Sequence, residues 1–495
     1  QIDLLPLFAW NQYRWGDLLV VVLWCLEREH AHWLDVLAER IHNQGYDWSS
    51  HFRRFPFAGK SDRWTYDRHV VNNAMGIKAP ALWELYTTGR VAPETVLDVV
   101  RVLDENHGQA TGVFTGDECF AGRMPSQGTE LCAVVEYMYS LEQVLQHQSD
   151  VRISDRLELI AFSALPATFS PDMWAHQYDQ QVNQASCVVV DDHLYTTNDG
   201  DANIYGLEPN FGCCTANMHQ GFPKLVSSLW MPNDGGGLRA LSYLPCSLEA
   251  PSPAGRLTVH VRTAYPLDGD ILIQVAGDGR MNAELPLDLP VPHWAGGATL
   301  SVDGTAAVPV VPGTVERVTR NWSGEHEIAL HLPMSVRVEF RYNGAASIYR
   351  GPVLYALQPE EAWTHLRGEP PHADYEVRPS SDWNLAIGLV EGDPAFGLTA
   401  EPGEAREAAL TALCAPLSAP APEPVASAAA TGARMWRIPV TVRRCPDWSL
   451  ERGAAAPPPE SPVEVDGPEH TAYLVPYAGT GLRIAEIPWY WRERG

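Results

Sequence analysis

The stretch Gly128-Thr129-Glu130-Leu131-Cys132 opens the strongest helical pattern in the chain, which we expect to run from about Thr129 to Gln146. Apolar residues follow it at intervals of three and four, so they share one continuous face of a helix. A further helix is expected to begin with Ser154 as its N-cap and to stop at Pro166, and a last one follows Asn217. The same periodicity predicts other helices in residues 1–230, at Trp15–Glu27, His32–Ile41 and Val91–Leu103.

The hydrophobic period changes to two after about Pro232. Alternating residues such as Leu257, Val259 and Val261, with a hairpin signal at Asp303-Gly304, predict an antiparallel β-sandwich over 235–345. Short strands are expected later, with Ala/Pro-rich loops or linkers at 415–432 and 454–462. We therefore predict a multidomain α + β protein with domains at 1–232, 233–345 and 346–495.

The composition is that of a soluble globular protein, with 495 residues, 45% hydrophobic and 19% charged. A net charge of −26 argues against nucleic acid or an anionic membrane as a partner. We expect no signal peptide and no transmembrane run of about 20 residues. Nine cysteines leave at least one unpaired and do not form a small disulfide framework, which favours a reducing compartment, the cytoplasm.

A second stretch, Gly212-Cys213-Cys214-Thr215-Ala216-Asn217, complements the Glu130-x-Cys132 pair. Three thiolates and one carboxylate make a tetrahedral zinc set. Residues two apart do not share a helix face, so Glu130 and Cys132 converge only if the helix starts irregularly. The adjacent cysteines are likewise expected in a turn. Two alternatives remain open, which are buried cysteines acting as small apolar residues and a vicinal disulfide.

In combination, these two motifs resemble the metal signature of glycoside hydrolase family 127, the β-L-arabinofuranosidase family. The similarity covers roughly residues 10–360 well and the tail more loosely. Four later motifs also resemble the family: Val291-Pro292-His293-Trp294-Ala295, Arg341-Tyr342-Asn343-Gly344, Tyr349-Arg350-Gly351-Pro352-Val353-Leu354-Tyr355-Ala356-Leu357 and Leu474-Val475-Pro476-Tyr477.

The resemblance implies a zinc ion held by Glu130, Cys132, Cys213 and Cys214, with Cys213 as the nucleophile. It implies that Glu118, in Gly116-Asp117-Glu118, is the general acid/base, with Asp117 as the alternative. It also implies an (α/α)6 toroid before the β-sandwich domains. We count only about seven or eight helices in residues 1–230, so we expect this toroid to be N-terminally incomplete.

The same resemblance implies that His69, Glu158 and Tyr178 contact the sugar. The alternatives are hydrogen-bonded structural roles for His69 and Tyr178 and an exposed helix charge for Glu158. The expected activity is retaining hydrolysis that releases a terminal β-L-arabinofuranosyl residue from a carbohydrate substrate. A zinc–thiolate glycosidase for another sugar and a non-catalytic carbohydrate-binding protein with structural zinc are the alternatives, and a homodimer stays open.

Overall fold

The first half of the chain is helical. A computed structural model describes residue 3 and residues 9–170, 172–207, 212–278, 283–393, 395–403 and 435–492. The α-helices of this part are α1 Ala9–Tyr13, α2 Trp15–Leu26, α3 His32–Gln44, α4 Trp48–Arg54, α5 Val70–Gly76, α6 Lys78–Thr88, α7 Pro93–His107, α8 Leu131–Leu145, α9 Val151–Leu159 and α10 Gly212–Ser227.

The long predicted helices are confirmed, and the described residues contain ten α-helices rather than the seven or eight expected. The additional ones, such as α1 and α4, have too few turns to show a period. The predicted N-cap of α9 is wrong. The helix begins at Val151, because the Asp150 carboxylate accepts a hydrogen bond from the Arg152 backbone N–H at 2.9 Å. Ser154 lies inside the helix.

Strands dominate from Trp230 onward, and two sheets cover residues 230–331. In the six-stranded sheet, inward residues such as Leu257 and Val259 are fully buried, as their alternation predicts. One pair in the four-stranded sheet, Leu238–Ala240 with Leu285–Pro290, is parallel, which differs from the all-antiparallel prediction. In spatial order, the strands of the six-stranded sheet are Val308–Pro309, Thr299–Val302, Gly324–His331, Asp270–Gly277, Gly255–Thr263 and Cys246–Ser252, and those of the four-stranded sheet are Val315–Arg320, Leu285–Pro290, Leu238–Ala240 and Trp230–Pro232.

A ten-stranded sheet holds most of the C-terminal part and also takes in a short strand, Asn183–Gln184, from the helical part. The Ala/Pro-rich stretch 415–432 lies outside the described residues. The strands of this sheet are Val336–Phe340, Ala346–Arg350, Val353–Leu357, Asp466–Pro476, Trp436–Arg444, Leu385–Val390 and Trp489–Arg492 in order, with Glu401–Pro402, Arg483–Ile484 and Asn183–Gln184 attached. Three small ladders pair Thr129–Glu130 with Asp179–Gln180, Glu361–Arg367 with Asp374–Pro379, and Leu450–Glu451 with Ala454–Ala455.

The mixture of helices and sheets is as predicted. Within the described ranges, no helix combines the length and the apolar character that crossing a membrane requires.

Candidate metal and catalytic site

The two cysteine motifs meet because α8 and α10 start next to each other. Cys132 is the second residue of α8, and Cys213 and Cys214 lie in the first turn of α10. One ligand atom from each of Glu130, Cys132, Cys213 and Cys214 lies within 4.8 Å of the others. The expectation that the adjacent cysteines need a turn is wrong, since both are helical and still bring their sulfur atoms together. We call these four residues the ligand cluster.

Glu130 joins the cluster because it precedes the helix in an extended conformation, with φ −66° and ψ 133°. Its backbone pairs with Asp179 in a two-residue ladder. This change of backbone direction between Glu130 and Cys132 is the irregular helix start that their spacing requires. The Glu130 side chain is buried, and its Oε2 atom has no hydrogen-bond partner among the described residues.

The sulfur atoms are closely packed and reduced. The Sγ atoms of Cys132 and Cys214 lie 3.4 Å apart, and Cys214 Sγ is 4.0 Å from Glu130 Oε1. The Asn217 side-chain amide donates a hydrogen bond to Cys132 Sγ at 3.1 Å. All the described cysteines are free thiols, so Cys213 and Cys214 form no vicinal disulfide. Cys213 is the exposed member of a cluster whose other three members are buried.

The electrostatics of the cluster suit a cation. Hydrogen bonds with Cys132 and Cys214 hold the pKa of the Cys213 thiol below its ordinary value. Burial raises the pKa of Glu130 and of Cys214 well above their usual ranges. A buried carboxylate oxygen without a partner, beside three thiols, is the donor set that a thiophilic divalent metal completes. The residues therefore fit a metal ion.

Glu118 lies near this cluster, close enough for the charge of Cys213 to act on it. The Trp64 indole N–H donates a hydrogen bond to Glu118 Oε2 at 2.9 Å. Burial is the main cause of its raised pKa, and the charges of Asp117 and Cys213 raise it further. A carboxyl group that keeps its proton to higher pH than usual, next to an exposed thiol, can act as a general acid.

His69 lies next to Glu118 and contacts the Trp10 ring. Its Nδ1 accepts a hydrogen bond from the Asn72 backbone N–H at 3.3 Å, which caps α5. Burial lowers the pKa of His69 to about 3, so the ring is neutral near pH 7. The proton then belongs to Nε2, which lies 3.5 Å from Glu118 Oε2. His69 therefore makes a structural contact through Nδ1 and turns its Nε2 edge toward the Glu118 carboxyl group.

Asp117, the alternative acid, is occupied by other bonds. It is 1% exposed, and its oxygens accept hydrogen bonds from the Thr197 backbone N–H at 2.9 Å, the Thr197 hydroxyl at 2.6 Å and the Asn198 backbone N–H at 3.2 Å. The Thr196 hydroxyl also donates to it. Asp117 therefore ties the 196–198 loop to the Glu118 loop and has no free lone pair for catalysis.

The structure brings Tyr178 to the site and leaves Glu158 elsewhere. The backbone carbonyl of Tyr178 accepts a hydrogen bond from the Leu131 N–H at 3.0 Å, at the start of α8. Glu158 is 4% exposed, so the exposed-charge alternative is wrong. Its carboxyl group accepts hydrogen bonds from Ser242 at 2.6 Å and from Tyr265, both in the β-rich part. These contacts link two parts of the fold.

Sequence reasoning missed an aromatic wall next to Glu118, formed by Trp10, Trp64 and Tyr66. The ring centroids of Trp10 lie 5.9 Å from Trp64, 5.0 Å from Tyr66 and 5.1 Å from His69. The available signal was the closely spaced pair of aromatic residues in Trp64-Thr65-Tyr66, just before His69. Trp10 gave no such signal, since it is 54 residues from Trp64 along the chain.

One family model matches the middle of the chain. Residues 237–334 match the family model described as β-L-arabinofuranosidase, GH127 middle domain. No curated protein matches the chain by sequence.

Three solved structures share the fold over almost the whole chain. A glycoside hydrolase aligns with a TM-score of 0.64 and 15% identity, covering 95% of this chain and 74% of its own. A GH127 β-L-arabinofuranosidase from Geobacillus stearothermophilus aligns with a TM-score of 0.61 and 16% identity, and the alignment covers 96% of this chain and 72% of that one. A GH127 β-arabinofuranosidase aligns with a TM-score of 0.62 and 14% identity, and the alignment covers 95% of this chain and 68% of that one. The shared fold and the middle-domain match together confirm the resemblance to glycoside hydrolase family 127 and the prediction of a glycoside hydrolase.

Proposed function

We propose that this family 127-type glycoside hydrolase releases a terminal β-L-arabinofuranosyl residue with retention, with Cys213 as nucleophile and Glu118 as acid/base. One observation carries the proposal. Cys213 is the only exposed member of the ligand cluster, and its charge acts directly on Glu118. Retaining hydrolysis requires a nucleophile and an acid that flank the scissile bond.

In the first step, Cys213 Sγ attacks the anomeric carbon while the bond from that carbon to the leaving oxygen breaks. The proton of the Glu118 carboxyl group moves to the leaving oxygen. In the second step, the Glu118 carboxylate takes a proton from water, and the water oxygen attacks the anomeric carbon. The Cys213 thiolate leaves, so the two inversions give net retention.

We also propose that the metal of the ligand cluster is zinc. Its support is the donor set, because three sulfur atoms with one carboxylate suit zinc better than magnesium or calcium, which prefer oxygen. Glu130, Cys132, Cys213 and Cys214 would hold it. When bound, zinc supplies positive charge that keeps these thiols deprotonated at neutral pH.

His69, Tyr178 and the aromatic wall are the proposed sugar contacts. The neutral His69 ring can donate from Nε2 toward Glu118 or a substrate oxygen, and aromatic faces suit the C–H surface of a sugar. Glu158 is left out because Ser242 and Tyr265 already occupy its carboxyl group.

The domain division at 1–232, 233–345 and 346–495 is part of the same proposal, with the helical part as the toroid and the middle part as a β-sandwich. Its support is that α10 ends at Ser227, just before the first strand of the four-stranded sheet at Trp230–Pro232. The middle-domain match at 237–334 falls inside the second unit.

The variant Glu118→Gln tests the assignment. It should lower turnover of an alkyl β-L-arabinofuranoside by about 10²–10⁴-fold, the usual value of positioned acid catalysis. An aryl substrate, whose leaving group needs less protonation, should keep more of the first step. The control is Glu105→Gln, at an exposed glutamate paired with Arg101. Equal losses below about threefold for both substrates would show that Glu118 is not the acid.

A second outcome concerns the unmodified protein. If it binds zinc but turns over no furanoside, a structural metal in a carbohydrate-binding protein is favoured.

A further inference from the structure

A cavity of about 340 Å³ lies where the helical part, the middle sheets and the C-terminal sheet meet. None of its lining residues belongs to the ligand cluster. Three motifs that the proposed function does not use contribute to its wall, through His293-Trp294, Arg341 and Tyr349. We call it the junction cavity.

Polar side chains from a helix and from a strand line this cavity. In each element, the spacing of these residues along the chain places them on one face. On α9, Arg152, Asp155 and Arg156 are spaced at i, i+3 and i+4, so they lie on one helix face. On the strand Val336–Phe340, Arg337 and Glu339 are two residues apart, so their side chains lie on the same face of the sheet. An acidic protein thus concentrates arginines around one small space.

Most of these charges already have partners. Arg156 Nη1 lies 3.1 Å from Asp104 Oδ1, and Arg341 Nε lies 3.1 Å from Glu486 Oε1. His293 Nδ1 is 2.9 Å from Asp155 Oδ2. These pairs hold the cavity walls in place and leave little charge for a ligand.

Arg337 is different. Its Nη1 donates to the Gly351 backbone oxygen at 3.0 Å, and it forms no ion pair with any carboxylate of the described ranges. Burial is the main influence on its pKa, which it lowers. The charges of Glu339 and Asp155 act on it from a distance and oppose this lowering. Because no carboxylate pairs with it directly, its planar fork keeps donors that match a carboxylate or a phosphate.

Uncharged groups around Arg337 suit a hydroxylated ligand. Gln109 is 1% exposed, and its side-chain oxygen has no hydrogen-bond partner in the described part of the chain. The buried indole N–H of Trp294 also lacks one there. An acceptor, a donor and the rings of Trp294 and Tyr349 together offer what a sugar ring needs.

We propose that the junction cavity binds a sugar acid of monosaccharide size, whose carboxylate pairs with Arg337 and whose hydroxyl groups bond to Gln109 and Trp294. The cavity volume limits the ligand to a small molecule. The net charge of −26 disfavours long polyanions. This site is separate from the proposed catalytic cleft and does not depend on the proposed reaction.

Calorimetric titration of the full chain with D-galacturonate and D-galactose tests the proposal, since the two sugars differ by the carboxylate. Galacturonate should bind at one site per chain, and galactose should bind at least about tenfold more weakly, as the loss of a charge-assisted hydrogen bond predicts. Arg337→Met should weaken galacturonate binding by a similar factor. The control Arg256→Met, at an exposed strand arginine paired with Glu249, should not change it.

Four results would overturn the proposal: no saturable galacturonate binding, phosphate binding as tight as galacturonate, unchanged binding by a folded Arg337→Met variant, or competitive inhibition of arabinofuranoside turnover by galacturonate. The last would place the ligand in the catalytic cleft. If Arg337→Met does not fold, the proposal is tested by the melting temperature of the unmodified protein. Galacturonate should raise this temperature, and equimolar galactose should not.

Discussion

Replacing Trp64 with phenylalanine removes one hydrogen bond from the Glu118 carboxylate and keeps an aromatic ring against Trp10 and Tyr66. A hydrogen bond to a charged group contributes about 1.5–3 kcal/mol. The Glu118 side chain is 29% exposed, so water replaces part of the lost bond and we expect a loss of about 1 kcal/mol. The lost donor stabilises the charged form, so the Glu118 pKa rises, by about 0.7 unit.

The assay is the pH dependence of kcat/KM for an alkyl β-L-arabinofuranoside. The free enzyme needs Glu118 protonated, so activity falls as pH rises through its pKa. Trp64→Phe should therefore move the descending limb to higher pH by about 0.7 unit. The control is Trp24→Phe, at an indole that is 56% exposed and stacks with Arg28 rather than with Glu118. A limb that stays in place or moves to lower pH would refute the assignment of Glu118 as the acid.

The remaining predictions concern the cluster and the buried charges. Cys213→Ser should abolish nearly all turnover with metal still bound, whereas Cys214→Ser should lose metal, as metal analysis of both variants will show. Burial raises the pKa of Glu158 to about 8, so folding favours its protonated form, and its contribution to stability falls as pH rises from about 4.5 to about 8. Glu158→Gln should flatten that dependence, measured as urea midpoints at pH 5 and 8, and an unchanged slope would contradict it. Arg483→Met should lower the free energy of unfolding by about 3–5 kcal/mol, because it leaves buried acceptors unpaired, and a urea midpoint within error of the parent would contradict this.

The sequence predicts those parts of the site that depend on local chemistry. The hydrophobic period of Leu131–Leu145 predicts α8. The thiol and carboxylate side chains at its start are recognisable as candidate metal ligands from their chemistry. Their convergence follows from one local feature, the extended backbone of Glu130. The junction of helices and strands near Pro232 is also predicted locally, because the hydrophobic period changes there from 3.6 to 2.

Other parts depend on contacts between distant residues and have no local signal. Glu158 has the spacing of an exposed helix charge, yet Ser242 and Tyr265 from the β-rich part bury it. Trp10 joins the aromatic wall only through the packing of α1 against the 64–69 segment. Periodicity reports which face of an element is apolar, and it cannot report which other element covers a polar residue.

The C-terminal sheet supports the segment around Tyr178 through such distant contacts. Asn183–Gln184 pairs with Arg483–Ile484, and Arg483 is fully buried. Its guanidinium donates to the Ala167 backbone oxygen at 3.0 Å and to the Gln177 side-chain oxygen at 3.3 Å. Gln177 immediately precedes Tyr178, whose carbonyl fixes the start of α8. A tail residue about 300 positions away along the chain therefore helps to set the position of the ligand cluster, so the β-rich tail and the helical part must fold together for the site to form.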